Sequence, residues 1–213
     1  MFKTLMVAVA GIGLSTLSTL GSAADLVAGQ DYTVLDEPVK TQVADDKIEV
    51  TEAFWYGCPH CYALEDSLNA WVAELPDDVA FQRMPATMGG AWNRHATAFY
   101  AAQQLEIQQQ MHGDFFDAIH EQGDQLTADE DLAAFFGQYG VSEQDALDAL
   151  GSFGVKSQVN RAHARMRNMQ LMGVPALVVD GRFVVTPSTA GSLENMPQIA
   201  DALVDQVRDE RAE

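Results

Sequence analysis

The chain contains two cysteines, Cys58 and Cys61, with only Pro59 and His60 between them. A pair this close can form a disulfide and reopen it, which is two-electron redox chemistry. A disulfide framework would need more bridges, and a four-cysteine zinc site would need more thiols. A Cys2His2 site would need two histidines at finger spacing, whereas His95, His112, His120 and His163 are scattered. The reading therefore calls for no metal and no cofactor beyond the dithiol itself.

The thiolate is the working form of cysteine. Cys58 falls at the start of a predicted helix over 59–74. Unpaired N–H groups and the positive dipole end there favour an anionic sulfur. Pro59 suits the first helical position because its missing N–H has no partner to lose. His60 can add positive charge or a hydrogen bond; a solvated loop histidine is the alternative. Cys61 lies one turn inside, on the face of Leu64 and Leu68, where burial raises a thiol pKa. Cys58 is therefore the expected attacked sulfur and Cys61 the resolving thiol. Glu52 shares a strand face with Ile48, Val50 and Phe54. A carboxylate buried there would exchange protons with Cys61; a carboxylate at a strand fray, or one hydrogen-bonded in the core, fits the pattern equally.

These residues need a strand handing over to a helix. Strands are expected at 32–35, 47–56 and 79–84, with Gly57 turning the chain into the helix. Next come helices over 93–110, 114–122, 132–139, 142–150 and 155–172. Thr127-Ala128-Asp129-Glu130 fits a capping box, Ser142 a cap, and Gly173 a helix stop. A hairpin follows, 176–179 and 182–185 around Asp180-Gly181, then a helix over 192–208. The fold class is α/β: a sheet domain (25–86 and 163–213) interrupted by a helical insertion (87–162). Val174-Pro175 precedes the hairpin, and from the residues alone an X–Pro bond is read as trans.

Residues 1–24 read as a secretory leader: Lys3, then an uncharged apolar run, then small residues up to Ala24. Export places the chain where disulfides persist. Its 31 acidic residues outnumber the 12 basic ones, for a net charge of −19, which excludes nucleic acid and anionic membrane surfaces as partners.

The stretch from Glu52 to Glu65, EAFWYGCPHCYALE, resembles the active-site segment of the DsbA family of periplasmic thiol:disulfide interchange proteins. Gly173-Val174-Pro175-Ala176 with Asp180-Gly181-Arg182 is similar to that family's cis-proline loop and hairpin. Met88-Gly89-Gly90 and the helical block are similar to its insertion. The resemblance implies a thioredoxin fold with an inserted helical domain. It implies a monomeric protein dithiol oxidase acting on unfolded or partly folded secreted polypeptides. Reoxidation would come from a DsbB-like membrane quinone reductase. It carries over Cys58 as nucleophile, Cys61 as resolving thiol, and Pro59 and His60 as the residues between them. Glu52 becomes the buried acid, and Val174-Pro175 a cis pair at the substrate. Gly57 stands where some members carry a bulky aromatic, and the charge partner of Glu52 is left open near Phe81-Gln82-Arg83. A disulfide isomerase or reductase of the same fold is the alternative. A static staple is the weaker one, because a bridge closing so short a loop constrains little chain.

Overall fold

The structure, a computed structural model, describes residues 26–213, so the leader expected over 1–24 lies outside the described residues. Among the described residues, five strands form one sheet: β1 (Thr33–Val34), β2 (Ile48–Phe54), β3 (Val79–Pro85), β4 (Ala176–Val179) and β5 (Phe183–Val185). Their order is β1-β5-β4-β2-β3. Helix α1 (Pro59–Ala73) joins the parallel pair β2 and β3; every other neighbouring pair is antiparallel. A parallel pair needs such a crossover. The site at the β2–α1 junction follows from that connection.

Between β3 and β4 come α2 (Gly90–Gln104), α3 (Gln108–His120), α4 (Asp129–Gly137), α5 (Glu143–Gly151) and α6 (Phe153–Asn168), the helices of the insertion, of which α6 runs across the boundary expected at 162. A short α7 (Pro187–Ala190) and the long α8 (Asn195–Ala212) close the chain. Helices cover both faces of the sheet. Leu177, Val179, Phe183 and Val185 pack with Ile48, Val50, Leu64, Leu68 and the apolar stripe of α8. Ala176, Val178 and Val184, at the alternate positions, face the core shared with the insertion. Each leucine fully buried there contributes about 1.5–3 kcal/mol.

Two-sided burial changes the reading of β2. The apolar face runs through Ile48 and Val50, but Phe54 turns to the insertion and packs on Tyr56, Phe99 and Phe116. Glu49 and Thr51 are buried as well. Glu49 is held by Arg165 of α6, by Thr51 Oγ1 at 3.0 Å and by the backbone N–H of Gln42 at 2.6 Å. A buried carboxylate needs such partners.

Several helix limits differ from expectation. The helix expected over 93–110 ends at Gln104, because Glu106 adopts φ 61° and breaks it before α3. Thr127 is not a cap: Ala128 occupies the N-cap without a side-chain bond, and the Thr127 carbonyl accepts Arg94 Nε at 2.8 Å. Ser142 does cap α5 through the Asp145 N–H. Helix α6 starts earlier, on Ser152, and stops at Asn168 rather than at Gly173. The final helix begins at Asn195, after the separate turn of α7, whose Thr186 and Thr189 form a capping box.

Asp180 and Gly181 turn the β4–β5 hairpin at φ 53° and 62°, both positive as a type I′ turn requires. A Cβ on Gly181 would lie 2.0 Å from the Val39 carbonyl oxygen. Gly181→Ala is therefore expected to lower stability by about 3 kcal/mol, from overpacking against backbone and left-handed strain. Urea unfolding would read this, and an unchanged midpoint would contradict the close approach.

Candidate active site

Cys58 is the N-cap of α1 and Pro59 its first residue. Both thiols are free in this structure, and both are buried. Cys58 retains 8% exposure and Cys61 none, so only Cys58 is within reach of another chain. The Cys61 thiol hydrogen-bonds Cys58, and the N–H groups of Cys61 and His60 also point at its sulfur. With the positive charge of exposed His60, these outweigh burial and bring the Cys58 pKa down to about 6. Cys61 moves the other way. Burial pushes its thiol far up, and the hydrogen bond to Cys58 and the negative charge of that sulfur push it further.

The other expected residues converge here in part. Val174-Pro175 is a cis peptide, and the Val174 carbonyl oxygen accepts from the Cys58 thiol at 3.7 Å. Glu52 is fully buried on β2, near enough to Cys61 to act on it electrostatically. Burial raises its pKa to about 8, although Arg83 opposes this. Its Oε2 accepts Arg83 Nε at 3.1 Å, while its Oε1 has no hydrogen bond. The partner left open in the sequence is thus Arg83, set directly across from Glu52 in the parallel register.

Sequence reading missed three further members of this network. Arg83 Nη2 also reaches Glu65 Oε2 at 3.5 Å. Glu65 Oε1 lies 3.4 Å from His112 Nε2, and His112 Nδ1 lies 2.8 Å from the Tyr56 hydroxyl. Burial lowers the His112 pKa. Burial also opposes the charge of Glu65, but His112 first, then Arg83 and Asn69, hold its carboxyl below the ordinary carboxylate range. Glu65 follows Cys61 by four residues, one helical turn, which is the one signal that could have flagged it.

The surface beside Cys58 is apolar. A groove of about 470 Å3 runs along Val174 and Pro175, lined also by Leu35, Leu171, Met172 and Val184. Met172 is 91% exposed, and Met88 is exposed as well. The Trp55 indole stacks on Trp92 at 4.1 Å and lies over Gly57. A Cβ at residue 57 would sit 2.4 Å from that indole, so Trp55 occupies the space a side chain there would need.

A dithiol with one sulfur favoured as an anion and the other buried and kept protonated, on a sheet of this order, defines a thiol-disulfide oxidoreductase of the thioredoxin fold. The DSBA-like thioredoxin domain family matches residues 78–203. The thiol:disulfide interchange protein DsbA of Azotobacter vinelandii is 42% identical over 203 residues, spanning 93% of this chain and 94% of that protein. The crystal structure of Pseudomonas aeruginosa DsbA aligns with TM-score 0.85 at 37% identity, covering 90% of this chain and 99% of that one. The Xylella fastidiosa DsbA structure aligns with TM-score 0.82 at 33% identity, over 86% and 98%. The chain belongs to the DsbA family, with a helical insertion in its thioredoxin fold.

Proposed function

We propose that the protein donates its Cys58–Cys61 disulfide to dithiols of secreted polypeptides in the periplasm and is reoxidised by a DsbB-like membrane quinone reductase. The observation that carries this reading is the opposed pair of thiol environments: Cys58 is favoured as an anion and Cys61 is not. At pH 7, a Cys58 pKa of about 6 in place of 9 stabilises the reduced form by about 1.4 kcal/mol, or about 30 mV. A dithiol stabilised when reduced holds its disulfide loosely and passes it on. The chain's acidity fits unfolded polypeptides better than nucleic acid as partners, and the protein acts as a monomer.

The steps follow from the two pKa values. A substrate thiolate attacks the Cys58 sulfur, forming a mixed disulfide and expelling the Cys61 sulfur with the electron pair. Cys61 is too basic to leave readily as an anion, so it needs a proton. Glu52, held protonated by burial, supplies it. A second substrate thiolate then attacks the substrate sulfur of the mixed disulfide and expels Cys58, which leaves readily as a stable thiolate. Two electrons have passed from the substrate to the pair. Pro59 starts the helix that polarises Cys58, and His60 adds its charge. The Val174-Pro175 loop and the apolar groove hold the substrate as an extended segment beside Cys58.

A glutathione redox titration tests the direction. The potential is expected well above that of thioredoxin, about −270 mV; a value at or below it would make the protein a reductase. Glu52→Gln is expected to slow substrate oxidation about 10- to 100-fold near neutral pH. The wild-type rate should fall as pH rises through about 8, where Glu52 loses its proton, and the variant should lack that limb. Stopped-flow oxidation of a dithiol peptide reads both. Identical profiles would reduce Glu52 to a structural carboxylate.

A further inference from the structure

We propose that a second cavity, between β3, α2 and α6, is a binding site for a small inorganic oxyanion of the phosphate or sulfate type. The cavity measures about 150 Å3 and shares no lining residue with the groove beside Val174. Its wall carries Arg83, Arg161, Arg165, Tyr100, Gln82 and Gln158 among others, and no carboxylate. In a chain with 31 acidic and 12 basic residues, three guanidiniums on one small polar cavity run against the composition.

The arginines have donors to spare. Arg83 commits Nε to Glu52 and Nη2 to Asn69 and Glu65, which leaves Nη1. Arg165 is 8% exposed and commits Nη2 to Glu49 and Thr51; its buried Nε has no partner. Arg161 commits one nitrogen to Ser157. Arg83 pairs with Glu52 and Glu65 and Arg165 with Glu49, whereas Arg161 pairs with no carboxylate among the described residues, so its charge is the surplus at this cavity. Guanidinium forks match the geometry of tetrahedral oxyanions. A buried donor without an acceptor is costly, and an oxyanion would satisfy it while using the surplus charge. Water would satisfy the donor but not the charge. Because the wall comes from β3 and from two helices of the insertion, an anion there would tie the insertion to the sheet edge.

The test is titration of the reduced, mature protein with sodium phosphate, sodium sulfate or sodium acetate. Each is compared with sodium chloride at equal ionic strength, by calorimetry and by amide chemical shifts. Saturable one-site binding of phosphate or sulfate is expected, with shifts centred on Thr51, Gln82 and Ala162. Arg161→Gln, at an exposed position away from the thiols, should weaken binding about tenfold or more and leave dithiol oxidation in chloride unchanged. Phosphate and sulfate no better than chloride, binding that survives Arg161→Gln, or acetate bound as tightly as both would overturn the proposal.

Discussion

Cys58→Ser is expected to reduce disulfide transfer to the uncatalysed background, whereas Cys61→Ser should accumulate a covalent complex. At pH 7 a thiol of pKa about 6 is about 90% thiolate, against about 1% at pKa 9. Intrinsic nucleophilicity falls with pKa, at a Brønsted slope of about 0.4–0.5, which takes back about 20-fold of that gain. Attack is thus only a few times faster than by an ordinary thiol, and the larger benefit comes when Cys58 departs. Serine can neither form the bridge nor leave from it. In Cys61→Ser, Cys58 still attacks a disulfide-bonded peptide, but no second sulfur waits to release it. Mass spectrometry of acid-quenched mixtures should find peptide on Cys58. Peptide trapped on Cys61 in the Cys58→Ser protein, with turnover retained, would reverse the roles.

The second large effect is on stability. The reduced protein should gain on the oxidised one as pH rises from about 6 to 9. The folded Cys58 pKa lies below its ordinary value of 9.0, so in this window the unfolded reduced chain binds more protons than the folded one. Stability then rises with pH, by about 1.4 kcal/mol at pH 7 and about 4 kcal/mol near pH 9, and is lost as pH falls through 6. Above 9 the raised pKa of Cys61 reverses the trend, because that thiol ionises only when unfolded. Glu52 contributes with the opposite sign, costing stability as pH climbs from 4.5 to about 8. It is present in both redox forms and cancels in the difference. Guanidinium unfolding of both forms across this range would read the curve. A flat difference would mean that Cys58 carries no special charge stabilisation.

Much of the site was legible because its signals are local. Two cysteines three positions apart, a proline at the first helical position and a strand running into Phe54-Trp55-Tyr56 need no long-range knowledge, although the strand stops at Phe54 rather than at Tyr56. The Asp180-Gly181 turn was legible for the same reason. What was missed depends on register and packing. Nothing local says that Arg83 lies opposite Glu52; that follows from how β3 pairs with β2. His112 reaches Glu65 only because α3 packs against α1. Trp55 folds over Gly57 because Trp92, on the insertion, offers a ring to stack on. Helix limits failed where single residues adopt positive φ: Glu106 ends the first insertion helix, and Gln170, at φ 53°, follows α6 before Gly173 is reached.

Arg165 ties Glu49, in the middle of the sheet, to the last helix of the insertion. Anyone trimming this protein to a minimal scaffold by excising the helices would therefore strand a bare carboxylate in the sheet. Such a pruned version would need Glu49 exchanged for an aliphatic residue at the same time.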